Sequence, residues 1–274
     1  VQERAIPLDL ALSVPWTMRV GEFTIHDSDP HAMLRMTLGD VIARSSNIGA
    51  VQVANRVGPD DMATYLSQFG LGSQTGVGFP GESPGITVPF YRWDDVILAT
   101  TAYGQGITAT PLQMASVFAT IANDGRWVRP RLVRARVDPE GTRHDAAPSP
   151  TRRVVSVQTA RIVSRMLAFA VEHGTGANAQ VAGYQVAGKT GTARIPLGDA
   201  LGYVEGEYLA SFIGFLPARD PRVVIAAMLD RPAQRYGSVA AAPLFQRLAR
   251  AAITRLGIEP SRPLSPPPHS LPVP

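Results

Sequence analysis

Apolar side chains recur at intervals of three and four over residues 37–44, 48–57 and 60–69, the pattern of helices with one buried face. Gly58-Pro59 separates the second stretch from the third, and Gly70 ends the third. Pro111 suits the first turn of another helix over 112–123, because the amide it lacks has no partner there; Thr110 is its candidate N-cap. A long helix is predicted over 157–173, stopped by Gly174. The period then changes. Residues 184–192 read as a strand, and 208–215 alternate at period two. The chain turns through Pro217-Ala218-Arg219-Asp220-Pro221 and returns as a partner strand over 222–229. Residues 240–256 close the pattern as a helix. Helices first, then an antiparallel hairpin and a terminal helix, predict an α+β fold with the last helix packed on the sheet.

Two breaks bound this pattern. Residues 139–150 mix Pro, Gly, Asp and Ser and read as a surface loop. From Pro260 to Pro274 proline dominates, which removes backbone donors and predicts a disordered tail after one domain over 1–259. At 274 residues and 45% hydrophobic composition, the chain can bury a substantial core. The net charge is +4, but the arginines are scattered. The tightest cluster, Arg129, Arg131, Arg134 and Arg136, alternates with apolar residues as a strand surface does, so no nucleic-acid partner is expected. There is no cysteine, which excludes disulfides and thiolate metal sites, and the five histidines show no metal-ligand spacing. No run approaches the roughly 18 apolar residues of a membrane span, so an anchor, if present, lies outside these residues.

Two short segments carry candidate chemistry: Arg44-Ser45-Ser46-Asn47-Ile48-Gly49 between helices, and Ala187-Gly188-Lys189-Thr190-Gly191-Thr192-Ala193 on a strand. Each has a plainer reading, the first as a helix N-cap and the second as an ordinary strand. Together they match two of three signatures of serine acyl-transferases that use a Ser-x-x-Lys nucleophile. In that chemistry a lysine accepts a proton only if its pKa is lowered. Lys189 adds positive field and relays a proton through the Ser45 hydroxyl to the leaving amine. Asn47 donates to a substrate backbone and accepts from an ammonium. Gly191 permits close approach of the substrate, the Thr192 amide serves as an oxyanion donor, and the Thr190 and Thr192 hydroxyls suit a carboxylate. Lys189 is the sole lysine of a chain in which every other strong base is arginine. Arginine in its place would stay charged and could not pass a proton.

With these motifs, residues 102–114 (Ala-Tyr-Gly-Gln-Gly-Ile-Thr-Ala-Thr-Pro-Leu-Gln-Met) and Ile121-Ala122-Asn123-Asp124-Gly125 resemble the class B penicillin-binding proteins. The likeness runs from Val14 to about Pro260, and the third motif leans towards the cell-division branch. It implies a penicillin-binding, β-lactamase-like fold that is incomplete at its N-terminus. It also implies a D,D-transpeptidase that takes D-Ala-D-Ala stem peptides, is acylated by β-lactams, and uses no metal or organic cofactor. A membrane glycosyltransferase and division proteins are implied partners. The implied location is the extracytoplasmic face of the membrane. One departure is plain: no Ser-x-x-Lys occurs anywhere in the chain. Truncation just before Val1 is the economical account, and it predicts that this chain alone is inactive. A β-lactamase or D,D-carboxypeptidase of the same superfamily, or a non-catalytic β-lactam sensor or division scaffold, are the competing readings.

Overall fold

The computed structural model describes residues 6–197 and 202–263. The first part is helical with short ribbons. β1 (Leu12–Val14) pairs with β4 (Leu34–Met36), and β2 (Thr17–Val20) with β3 (Phe23–His26). Helices α1 (Leu38–Arg44), α2 (Asn47–Val57) and α3 (Pro59–Gln68) follow. Thr37 caps α1 with a reciprocal bond to Asp40, and Ser46 caps α2 by accepting from Gly49 N. Leu12, Val14, Met36, Val41, Ile48 and Val51 bury a core between the ribbons and these helices.

α4 (Asp95–Ala102) is a helix the apolar pattern does not announce, since it is apolar nearly all round. β5 (Ile86–Thr87) and β6 (Ile107–Thr108) pair across it. α5 (Pro111–Ala122) starts as the sequence predicts, with Thr110 and Gln113 exchanging capping bonds. Gln113 is only 2% exposed and also donates to the carbonyls of Ser73 and Pro84. The Thr-Pro-Leu-Gln block therefore ties loops together. An arm, exposed apart from the buried Trp127, carries β7 (Arg126–Val128), β8 (Ala135–Val137), β9 (Arg143–Asp145) and β10 (Thr151–Arg153), paired β7 with β10 and β8 with β9. It contains the arginine cluster, and β9 forms inside the stretch 139–150 that the sequence predicts as a surface loop.

α6 (Val157–His173) leads to a three-stranded antiparallel sheet of β11 (Ala187–Pro196), β12 (Tyr203–Leu216) and β13 (Val223–Asp230), in the order β11-β12-β13. α7 (Ala241–Leu256) packs on one face. There Phe212 and Leu216 meet Phe245, with the Phe212 and Phe245 rings 4.6 Å apart. On the other face Phe215 and Ala187 meet Leu167 and Ala168 of α6. The period-two alternation of β12 divides these side chains between the two faces, and burying each Phe contributes roughly 1.5–3 kcal/mol. The tail departs from expectation at its start. Ser261 and Arg262 donate backbone N–H groups to the Gly183 carbonyl, and Arg262 pairs with Glu172. The rest of the expected tail, from 264 on, lies outside the described residues.

Candidate active site

β11 is an edge strand, and its position is set by what its glycines lack. A Cβ on Gly188 would stand 2.5 Å from the Phe212 ring, and one on Gly191 would stand 2.4 Å from Ser211 Oγ. At Gly191 the near atom is the hydroxyl of its cross-strand partner Ser211, which a side chain there would have to turn aside. Between them Lys189 faces no carboxylate: among the described residues no ion pair involves it, and its Nζ donates to the carbonyl and Oγ1 of Thr190 at 3.1 and 3.2 Å. Burial lowers its pKa from 10.5 to about 8. Burial penalises the ammonium, so its proton leaves more readily than from an exposed lysine.

The two threonines differ. The Thr190 hydroxyl is committed to Lys189 and, at 2.9 Å, to the hydroxyl of Thr175. Exposed Thr192 instead accepts the Gly237 N–H at 3.0 Å, which leaves its own proton free to donate outward. Gly237 belongs to the loop before α7, where a Cβ would come within 2.4 Å of the Gly191 and Ser211 carbonyl oxygens. Only glycine lets that loop lie against β11.

Ser45 ends α1 in the left-handed conformation, φ 58° and ψ 43°, a region costly for a residue with a side chain. No described group hydrogen-bonds its hydroxyl, so it is open to relay. Asn47 opens α2, and its Nδ2 donates to the His26 carbonyl at 2.9 Å, which leaves Oδ1 and the second amide hydrogen unclaimed. The link between this turn and β11 is Thr175, in the Gly174-Thr175-Gly176 turn after α6. Its N–H donates to the Ala43 carbonyl at 3.0 Å, two residues before Ser45, while its hydroxyl meets Thr190. A Cβ on Gly174 would lie 2.2 Å from that same Ala43 oxygen.

The structure therefore ties the Ser45-Ser46-Asn47 turn and the Lys189–Thr192 strand to a common neighbour. Sequence reasoning found both motifs and missed Thr175 and Gly237. Gly174, which the sequence marks only as a helix stop, and Gly176 are the visible signal of that turn. Further along, the Tyr203 hydroxyl donates to Gln105 Oε1 at 3.1 Å, joining the outer end of β12 to the Gly104-Gln105-Gly106 turn. Among the described residues no group of three or more His, Asp or Glu is placed to hold a metal.

The chain as a whole is similar to known proteins. A family model described as the penicillin binding protein transpeptidase domain matches residues 13–250. The chain belongs to that family. Penicillin-binding protein PbpB of Mycobacterium tuberculosis is 40% identical over 271 residues, 95% of this chain and 39% of the relative. PenA of Neisseria flavescens, named a probable peptidoglycan D,D-transpeptidase, is 30% identical over 94% of this chain and 62% of its own length. The chain thus spans less than two thirds of the length of either relative. A crystal structure of penicillin binding protein 3 from M. tuberculosis, complexed with aztreonam, superposes with a TM-score of 0.88 and 39% identity, covering 97% of this chain and 61% of that one. The expected α+β fold and the likeness to class B penicillin-binding proteins both hold.

Proposed function

We propose that these residues form the substrate-binding and proton-relay part of a serine D,D-transpeptidase, with the nucleophile contributed by a Ser-x-x-Lys segment outside the 274 residues. The observation that carries the reading is Lys189. Among the described residues it is an ammonium without a carboxylate, its pKa lowered to about 8, on an edge strand linked through Thr175 to the Ser45 turn. The serine oxygen attacks the carbonyl carbon of the penultimate D-Ala. The C–N bond to the terminal D-Ala breaks, and the departing amine takes a proton relayed from the serine through Ser45 and Lys189. An acceptor amine then displaces the serine and restores its proton. The Thr192 amide supports the oxyanion, the Thr192 hydroxyl receives the terminal carboxylate, and Asn47 holds the peptide backbone. A β-lactam takes the same path, but its amine stays tethered.

The same reading places the domain on the extracytoplasmic face of the bacterial membrane, beside a glycosyltransferase and division proteins. Among the described residues no helix is long and apolar enough to cross a membrane. The test is covalent labelling of the full-length protein by a fluorescent penicillin, together with release of D-Ala from a stem-peptide donor. Labelling with D-Ala release that depends on an acceptor amine is the expected result. Rapid hydrolysis of the penicillin would favour a β-lactamase, and no labelling at all a non-catalytic scaffold.

A further inference from the structure

One carboxylate holds the turn that carries Asn47. Asp27, just after β3, is 5% exposed, and its carboxylate meets a hydroxyl, a backbone amide and an imidazole. Its Oδ2 accepts the Ser46 hydroxyl at 2.7 Å and its Oδ1 accepts the Ile48 N–H at 3.0 Å, so both neighbours of Asn47 are bound to the same side chain. Asn47 itself donates to the carbonyl of His26, the residue before Asp27. The third donor is His31 Nε2, 3.1 Å from Asp27 Oδ2. The Nδ1 of the same ring stands 2.7 Å from the Ala32 carbonyl oxygen. A carbonyl and a carboxylate only accept, so both bonds exist together only when both ring nitrogens carry protons.

We propose that Asp27 and His31 are positioning residues for Asn47, a carboxylate–imidazolium pair that clamps the Ser45–Asn47 turn at the start of α2 and loosens when His31 loses its proton. The inference rests on the acyl-transfer reading and deepens it. The charged groups acting on His31 are Asp27 and, from α1, Arg44. The Ala32 carbonyl, followed by the hydrogen bond and charge of Asp27, raises the His31 pKa above its ordinary 6.5, against burial and the like charge of Arg44. The raised value sets the sign. The clamp is complete below about pH 6.5 and is lost as pH climbs through the higher folded value. Asp27 also lies where the N-terminal dipole of α2 favours negative charge.

The test compares full-length wild type with Asp27→Asn and His31→Gln. Asparagine keeps the shape but turns an NH2 group towards groups that themselves donate. The first-order constant for acylation by a labelled penicillin should fall about ten- to hundredfold, as expected when a contacting group is displaced by an ångström or so. The affinity of the preceding non-covalent complex should change less. Glutamine at 31 still donates to Asp27 but cannot titrate, so its acylation profile should lose the part of the pH dependence that tracks His31 and keep the part that tracks Lys189. In the nitrogen NMR spectrum of histidine-labelled wild type at pH 6, both His31 nitrogens should be protonated. Raising the pH should move the Asn47 amide signals in wild type and leave them still in His31→Gln. An Asp27→Asn enzyme with the wild-type rate and pH profile, or a singly protonated His31 at pH 6, overturns the proposal. Absence of wild-type acylation would sink the functional reading instead, and the NMR titration would then decide the clamp by itself.

Discussion

The two halves of the site are held by different physics. On the sheet side, Lys189 and Thr192 are placed by a backbone ladder, Lys189 opposite Ile213 and Thr192 opposite Ala210. Gly188 lies tight against the Phe212 ring, and Gly237 of the neighbouring loop lies tight against the Gly191 and Ser211 carbonyls. On the helical side, the Ser45–Asn47 turn has a left-handed residue at its head and hangs on side-chain bonds to Asp27 and to the His26 carbonyl. A ladder distributes its load over many bonds, whereas a polar anchor concentrates it in one carboxylate. The sheet side should therefore respond to mutation in stability, and the turn side in rate.

The sharpest break in that comparison is Lys189 itself, a functional group on the rigid half. Lys189→Ala in the full-length protein should slow penicillin acylation by about two to four decades, the usual worth of a placed acid–base group. Lys189→Met should lose the same activity and yet gain thermal stability at pH 7. The folded pKa lies near 8, below the unfolded 10.5, so the folded state carries a buried charge at neutral pH and sheds it first on titration. Wild-type stability should thus rise between about pH 8 and 10.5, and the gap to Lys189→Met should close over that window. Melting curves at pH 7 and pH 10 would show it, and a constant gap would argue against the lowered pKa.

Smaller effects sharpen the contrast. Thr192→Val removes the outward hydroxyl and should weaken binding of a carboxylate-bearing peptide by about ten- to a hundredfold, a charge-assisted hydrogen bond being worth roughly 1.5–3 kcal/mol. An ester of the same peptide should bind both forms alike, as titration calorimetry can read. Gly188→Ala drives a Cβ into the Phe212 ring and should cost about 1–3 kcal/mol in urea unfolding, the usual range for overpacking. Thr175→Val removes the hydroxyl tie to Thr190 and should cost about 1 kcal/mol, the net worth of one hydrogen bond.

The same division explains what was legible in the sequence. The alternation of 208–215 and the caps at Thr110 and Gly174 lead directly to β12, α5 and α6, because burial and backbone bonding leave a periodic trace. β12 runs further than that trace, to Tyr203, since its outer end is exposed and has no face to alternate. Lys189 stood out by being the sole lysine, and Asn47 by its motif. Asp27 and His31 left no trace. The bonds of Asp27 to Ser46 and Ile48 join residues about twenty apart, and a buried carboxylate looks like any loop aspartate until the fold brings donors to it. Thr190 shows the converse: its motif suggested a carboxylate contact, and the structure engages its hydroxyl with Thr175 and Lys189.

The central claim is that the described residues supply relay and binding groups to an acyl transfer whose nucleophile lies outside them. Intact-mass spectrometry with peptide mapping after incubation with penicillin tests it most directly, on the full-length protein and on residues 1–274 alone. The account predicts one covalent penicillin on the full-length protein, mapped to a serine three residues before a lysine and absent from the 274-residue chain, with uptake slowed by Lys189→Ala. A stoichiometric adduct on Ser45, or on any other serine of these 274 residues, would contradict it.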